Sequence, residues 1–161
     1  MEISDEKFVQ SKAEAKTIYD AIGQIKCPYF NGEEIHFSFE GFEHIRFKDW
    51  NKTRSQVEQY TRFRLIPLAA SIIKKSGTMQ EYDEKNIFVR QQSRGRWTRA
   101  MKFARYYIFI AIVKDLRMKV IIREVSGEKK KFYSVYPSWK IEPEGQGGMK
   151  KKLYAGNPET D

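Results

Sequence analysis

The residues of this chain that could do chemistry are few: two histidines, one cysteine and a large excess of lysine and arginine over acids. His36 and His44 have no carboxylate motif at metal-ligand spacing, so they form a poor metal site. Cys27 alone can form neither a disulfide framework nor a thiolate zinc site. The sequence therefore predicts no metal and no cofactor.

The positive charge is concentrated in the middle of the chain. The net charge of +9 is the sum of −4 over residues 1–50, +14 over 51–141 and −1 over 142–161. From Lys85 to Lys114 there are eight cations and no acid. Such a one-sided field captures polyanions, and nucleic acid is the first candidate. A surface that is charged only for solubility is the alternative.

Histidine, lysine, arginine, tyrosine and serine side chains are sufficient to cleave RNA without a metal ion. One group must take a proton from the ribose 2′-OH or return one to the leaving oxygen, and cations must stabilise the phosphorane. His44 is the better candidate, because a short helix would place it beside Lys48. A buried histidine bonded to a backbone carbonyl is the structural alternative. His36 alternates with the inward residues of a predicted strand and is interpreted as a surface histidine.

The last predicted strand offers a small hydroxyl among aromatic side chains. Strand alternation places Ser134 on one face with Phe132 and Tyr136, and places Tyr133 and Val135 on the other. A small polar residue between aromatics suits close approach of a ligand, although a plain core serine fits as well.

Cations on neighbouring elements could bind phosphates. Arg123 and Lys119 share a face of the preceding strand and would lie next to Ser134 if the faces match. Aromatic residues alternate with further cations in a pattern typical of base-stacking surfaces, and also of ordinary amphipathic strands. The remaining candidates for nucleic-acid contact are Arg62, Arg64, Arg94, Arg96, Trp97, Arg99, Lys102 and Arg105.

Helical periodicity precedes strand periodicity along the chain. Helices are predicted over residues 5–27, with Ser4 as the N-cap, and 53–75, with a kink at Pro67. One or two helical turns are predicted over 41–48. Strands are predicted over 33–39, 86–90, 106–113, 118–125 and 131–136, whereas 96–105 fits either period.

This order predicts an α+β fold in which N-terminal helices pack on a four- to five-stranded antiparallel meander. Residues 1–141 form one domain, with a helical part over 1–32 and a core over 33–141, and residues 142–161 form a loosely held tail. The longest apolar run, 106–113, is too short to span a membrane, and the acidic N-terminus is unlike a signal peptide. We therefore expect a cytoplasmic protein.

Four elements together resemble a known family: a strand followed by FEHIRFK, the helix over 53–75, the strand pair over 106–125 and the closing FYSVYPSW. The chain resembles the phage and mobile-element branch of the barnase/EndoU/colicin/RelE-like nuclease superfamily. The resemblance implies helices on a four-stranded antiparallel sheet and metal-independent ribonuclease activity, often in a toxin paired with an inhibitor. It also implies that His44 is the acid/base histidine, Ser134 the last-strand hydroxyl, and Arg123 or Lys119 the phosphate-binding cation.

The sequence thus favours an endoribonuclease that acts by 2′-OH transesterification. His44 would be the general base or acid. Lys48, Arg123 or Lys119 would stabilise the transition state, and Ser134 and Tyr136 would position the phosphate. The alternative is a non-catalytic nucleic-acid-binding module with a basic sheet face. The expected partners are RNA and, for a toxin, an acidic inhibitor protein that docks on the basic surface.

Overall fold

The computed structural model describes residues 2–49, 51–138, 152–153 and 156–161. Its α-helices are α1 (Asp5–Ile22), α2 (Phe39–Arg46) and α3 (Gln56–Lys75). Its strands are β1 (Gln24–Cys27), β2 (Glu33–His36), β3 (Phe47–Asp49), β4 (Lys52–Thr53), β5 (Glu81–Ser93), β6 (Arg96–Val113), β7 (Leu116–Val125), β8 (Lys131–Pro137) and β9 (Lys152–Leu153). Within these ranges, none of the helices has the length and apolar character needed to cross a membrane.

The main sheet confirms the α+β class but is larger than predicted. Strands β5 to β8 form the expected antiparallel meander. Three short strands extend it to seven in the order β1-β2-β8-β7-β6-β5-β9, with β2 parallel to β8 and β9 parallel to β5. Strands β3 and β4 form a separate hairpin. Of these strands, β2 corresponds to the strand predicted over 33–39, although it ends at His36 and Phe39 already begins α2. Strands β1 and β9 have four and two residues, too few for alternation to be recognised in the sequence.

The first helix is capped as predicted but is shorter. The Ser4 side chain accepts a hydrogen bond from the backbone N–H of Lys7, which satisfies a free donor of the first turn. The helix ends at Ile22, followed by Gly23 at φ +62°, a conformation that glycine adopts readily. Residues Gln24–Cys27, predicted as helix, instead pair with β2.

The elements before α3 also differ from the prediction. Helix α2 ends at Arg46, and Lys48 lies on β3, so Lys48 is not one helical turn beyond His44. Helix α3 starts at Gln56 rather than at residue 53, because Lys52–Thr53 pairs with β3. A reciprocal capping box between Ser55 and Glu58 sets this start.

The sheet has two different faces. Helices α1 and α3 pack on one face, in a core cluster that includes Ile66, Phe109 and Ile122. On the other face a smaller cluster forms around Tyr106 and Ile121. The helix-covered face provides most of the core, and the second face is where polar groups gather.

A β-bulge in β8 changes which side chains share a face. Ile121 pairs with Ser134 but Ile122 pairs with Phe132, so Tyr133 is an extra residue in the strand. Phe132 packs in the helix-side core, whereas Tyr133 belongs to the cluster on the opposite face. The predicted grouping of Phe132 with Ser134 is therefore wrong, because the bulge interrupts the alternation.

Strands β5 and β6 extend beyond the rest of the sheet. Their pairing continues to Ser93 and Arg96, whereas β7 pairs with β6 only from Ala104 onward. Residues 86–103 thus form a two-stranded ribbon, called here the arm, about 25 Å long at the usual rise per residue. The ambiguous region 96–105 is strand throughout.

The predicted tail over 142–161 lies partly outside the described residues, as do the predicted boundary at residue 141 and Trp139 of the closing motif. Residues 156–161, called here the acidic segment, return to the folded domain, where Pro158 is buried. The Lys85 ammonium donates to the Asn157 side chain. In its described part, the tail is held by contacts, which differs from the prediction.

Gly41 allows α2 to approach β8 closely. A Cβ at this position would lie 2.5 Å from the Phe132 main-chain oxygen and against the Tyr19 hydroxyl. We expect Gly41→Ala to lower the free energy of unfolding by about 2 kcal/mol, because backbone atoms must move to admit the methyl group. Urea unfolding followed by circular dichroism measures this change. Gly77→Ala is the control, since a Cβ there meets nothing within 4 Å; equal midpoints would contradict the close approach.

Candidate active site

Three arginine side chains, Arg54, Arg62 and Arg123, meet around His44; they are called here the arginine cluster. The Arg54 Nε donates to the His44 main-chain oxygen at 3.1 Å, and its Nη2 lies 3.3 Å from His44 Nε2. The Arg123 guanidinium lies over the Tyr133 ring, 4.2 Å from its centroid. The same ring stacks on the His44 imidazole, with centroids 4.0 Å apart. Four polar side chains are thus arranged around one histidine.

Arg54 is positioned by the segment between β4 and α3. Its backbone N–H donates to the Arg46 main-chain oxygen at 2.9 Å, at the end of α2. Its own main-chain oxygen accepts from Gln59 Nε2 at 2.8 Å. Because α2 carries His44 and α3 carries Arg62, these two bonds connect the elements that bear the site.

The bulge in β8 brings two consecutive side chains to this site. Tyr133 stacks on His44, while Ser134 accepts a hydrogen bond from Arg62 Nη1 at 2.7 Å. Regular alternation would send these side chains to opposite faces. Ser134 is fully buried, so its contact with Arg62 is protected from water.

The electrostatic environment keeps His44 neutral. Burial lowers the pKa of its imidazole well below the ordinary 6.5, and the charges of Arg54, Arg62 and Arg123 lower it further. Since the Arg54 guanidinium can only donate, the imidazole Nε2 that faces it is the acceptor and Nδ1 carries the proton. At neutral pH the imidazole carries one proton, on Nδ1, and the lone pair that can accept another proton is the one on Nε2.

Arg62, Tyr106 and Tyr133 keep their protons at neutral pH. Burial and the nearby charge of Arg54 lower the pKa of Arg62 to about 10, which leaves it a cation. Burial raises the pKa of Tyr133 and of Tyr106, and the carboxylate of Glu159 raises both further. Both phenols therefore remain hydrogen-bond donors.

Main-chain oxygens of the acidic segment lie among these donors. The Asp161 main-chain oxygen accepts from Arg62 Nη1 at 2.6 Å, from Ser134 Oγ at 2.8 Å and from Arg54 Nη2 at 3.3 Å. The Thr160 main-chain oxygen accepts from Arg54 Nη2 at 2.9 Å. The donors of two elements and one loop thus point to a single oxygen-binding position.

A carboxylate occupies a second position beside the first. Glu159 Oε1 accepts from Arg123 Nη1 at 2.9 Å and from the Tyr106 hydroxyl. Its Oε2 accepts from the Tyr133 hydroxyl at 3.0 Å. At this position one arginine and two phenols bind a carboxylate. At the neighbouring position two arginines and a serine bind a main-chain oxygen.

An open cleft of about 830 Å³ connects this site to the arm. Side chains from α2, β3, the arm, β7 and the acidic segment line it, among them His44, Lys48, Phe88, Arg99, Arg123 and Glu159. A ligand with several negative charges could contact the site and the arm together.

Of the predicted catalytic residues, His44, Ser134 and Arg123 meet in the site. Lys48 lines the cleft, where its Nζ is 4.0 Å from the Glu58 carboxylate. The Arg62 guanidinium carbon lies over the Tyr136 ring, 5.3 Å from the ring centroid. Tyr136 therefore contacts an arginine of the site, whereas it was predicted to position the phosphate itself. This contact makes Tyr136 a positioning residue for Arg62.

Lys119 was predicted to bind phosphate, but its ammonium group is paired with a carboxylate. Its Nζ lies 3.0 Å from Glu81 Oε2 in a buried ion pair that neutralises its charge.

His36, interpreted as a surface histidine, is half-buried on β2 where this strand meets Lys131 of β8. In the described part of the chain, no group of three acidic, histidine or cysteine side chains could hold a metal ion.

The predicted nucleic-acid-binding residues lie on two surfaces. Arg62 belongs to the site, whereas Arg64 is exposed on α3 over the Tyr60 ring. The others follow the arm, including Arg94 at its turn and Arg105 at its base: Arg94, Arg96, Trp97, Arg99, Lys102 and Arg105. The arm is therefore the main cationic surface that the sequence indicated.

Four residues of the site were missed in the sequence: Arg54, Tyr106, Tyr133 and Glu159. Arg54 precedes an N-cap serine in a loop, where no periodic pattern marks it. Tyr133 was assigned to the wrong face because of the bulge. Glu159 lies in the predicted tail, and only the chain path brings it to Arg123.

Comparisons with protein-family models, with curated proteins and with solved structures gave no significant match to this chain. The resemblance to the nuclease superfamily therefore stays a prediction, and the function of the chain is inferred from the geometry of the site.

The neutral state of His44 predicts a pH dependence of stability. The unfolded chain takes up a proton at His44 near pH 6.5, whereas the folded chain excludes it until the pH is much lower. We expect the free energy of unfolding of the wild type to fall, relative to that of His44→Gln, as the pH is lowered from about 6.5 to about 5. Urea unfolding at a series of pH values measures the difference. A parallel pH dependence of the two chains would show that His44 titrates normally.

Proposed function

We propose that this protein is a metal-independent endoribonuclease that cleaves RNA by attack of the ribose 2′-OH on the adjacent phosphate. One observation carries the proposal: Arg54, Arg62 and Ser134 all donate to one oxygen position next to the neutral imidazole of His44. A phosphate oxygen would fit the same donors, because guanidinium groups bind carboxylate and phosphate oxygens with the same geometry.

The geometry supports a mechanism in which His44 acts first as a base. The 2′-OH takes the place of Arg54 Nη2 at His44 Nε2 and passes its proton to that nitrogen, the 2′-oxygen forms a bond to phosphorus, and the bond to the 5′-oxygen breaks. The leaving 5′-oxygen takes its proton from water in the cleft, and the hydroxide that remains takes the proton from His44, which restores the neutral imidazole. The negative charge of the phosphorane lies between the arginines, which are already oriented before the reaction. A bound phosphate also offsets the arginine charges and so raises the basicity of His44.

The residues around the cluster would have supporting roles. Arg123, with Tyr106 and Tyr133, would hold a neighbouring phosphate, and Tyr136 would hold Arg62 in place through its ring. Because the attacking group is the ribose 2′-OH, which DNA lacks, the reaction is specific for RNA. If the activity is that of a toxin or of a phage or mobile-element effector, an acidic inhibitor protein would be the matching partner for the basic surface.

Cleavage is expected to persist in EDTA and to depend on His44. The wild type should yield fragments of end-labelled RNA with 2′,3′-cyclic phosphate ends. His44→Ala should cut the rate by about 10²-fold or more, because the proton acceptor is lost. Loss of all cleavage in EDTA would contradict the proposal.

His36→Ala is the matched control, since this histidine lies on β2 outside the arginine cluster and should leave the rate unchanged. An equal loss in both histidine variants would point to general destabilisation. Thermal melting of each variant identifies that case.

A second candidate function, non-catalytic nucleic-acid binding, is favoured by the arm. Phe88 and Trp97 are 63% and 66% exposed there, which is unusual for such large rings. The Arg99 guanidinium lies 5.5 Å from the Phe88 ring, and that of Arg90 lies 5.6 Å from the Trp97 ring. Exposed rings between cations are the surface on which unpaired bases stack.

Substitutions in the arm are expected to weaken RNA binding whichever function holds. Trp97→Ala should weaken binding of a short single-stranded RNA by about 10-fold, the value of one stacked base. Arg99→Ala should also reduce the slope of log affinity against log salt concentration by about 1. Fluorescence anisotropy measures both.

Lys74→Ala, in the last turn of α3, is the charge-matched control and should leave the slope nearly unchanged. If the arm variants bind as the wild type does, the arm is not a nucleic-acid surface. If the protein binds RNA, never cleaves it and is indifferent to His44→Ala, the second function replaces the first.

A further inference from the structure

The acidic segment occupies the donors that the proposed reaction needs. Arg62 and Ser134 donate to the Asp161 main-chain oxygen, and Arg54 donates to the main-chain oxygens of both Asp161 and Thr160. An RNA phosphate at this position would require the same N–H and O–H groups. The segment and the phosphate therefore exclude each other.

The second contact of the segment is electrostatic. Glu159 provides a carboxylate to Arg123, whose side chain is 14% exposed, and this ion pair has an N–O distance of 2.9 Å. A buried guanidinium without an anion is costly, because it has lost its hydration. With RNA absent, Glu159 supplies the nearer carboxylate, while the more exposed Glu40 supplies a second one, 3.4 Å from Arg123 Nη2. The closed arrangement therefore adds to the stability of the cluster.

The segment is a compact turn that presents its oxygens as one unit. The backbone N–H groups of Thr160 and Asp161 donate to the Asn157 main-chain oxygen at 3.1 and 2.9 Å. The Asn157 N–H donates to the Asp161 carboxylate at 3.0 Å, and the Glu159 N–H donates to Asn157 Oδ1 at 3.2 Å. Because these bonds lie within the segment, the turn can leave the cluster without breaking them.

We propose that residues 156–161 act as an internal competitor of RNA, which closes the site by placing main-chain oxygens where phosphates bind. This inference rests on the proposed function for the identity of the displaced ligand. A tethered competitor acts at an effective concentration in the millimolar range, so even weak contacts hold a large closed fraction. RNA binds only the open fraction, and its apparent affinity is reduced by that fraction.

The test measures binding without cleavage. The probe is a fluorescein-labelled 2′-O-methyl RNA octamer, which lacks the attacking hydroxyl, and the readout is fluorescence anisotropy. We expect a variant lacking residues 156–161 to bind about 10-fold more tightly than the full chain. Glu159→Gln in the full chain should bind about threefold more tightly, because it weakens the contact with Arg123 while keeping its shape.

Controls separate the contact from a general change in charge. Glu84→Gln/Glu128→Gln removes two acidic charges from exposed positions outside the segment, and should change the affinity by less than about twofold. If the shortened chain fails to melt cooperatively, Glu159→Gln decides the question alone.

Affinities that rise no more for Glu159→Gln and the deletion than for the control variant would overturn the inference. Because the probe cannot be cleaved, this outcome is independent of catalysis. If the deletion variant binds RNA more tightly but neither it nor the wild type ever cleaves RNA, the proposed reaction is refuted. The inference that residues 156–161 compete with RNA for the site is then still supported.

Discussion

Repulsion among the charges of Arg54, Arg62 and Arg123 is the constraint on which the rest of the site depends. Three guanidinium groups close together in a buried place repel one another and have lost water, so they need oxygen atoms or aromatic rings around them. The acidic segment supplies the oxygens, and Tyr133 and Tyr136 supply the rings. The neutral state of His44 follows from burial and from the same charges.

The long elements could be predicted from the sequence because their signals are local. Helix α3 has an apolar stripe, and the meander from β5 to β8 has runs of apolar, β-branched and aromatic residues between turns, among them those at Arg94 and Gly127. Residues Gln24–Cys27 were misread as helix because four residues cannot reveal a period of two. Their state depends on pairing with β2, which is a tertiary contact.

The site was predictable only where a residue type was rare or its strand position was regular. His44 is one of two histidines, and Arg123 lies on a strand that was recognised. Ser134 also lies on a predicted strand, but the bulge separates it from Phe132, with which alternation had grouped it. The β3–β4 hairpin brings Arg54 to the site, and the acidic segment brings Glu159. Neither position can be predicted from the residues that flank it in the sequence. Lys119 looked equivalent to Arg123 on the same strand face, but Glu81 on β5 pairs with it instead.

Because of the bulge in β8, the same strand can supply apolar side chains to the core and polar side chains to the site. Phe132 and Val135 keep their places in the helix-side core, while the extra residue lets Tyr133 and Ser134 both reach the arginines. A strand without that residue could still complete the sheet. In evolutionary terms, the gain or loss of a single codon in this strand would create or remove the site on an otherwise unchanged scaffold.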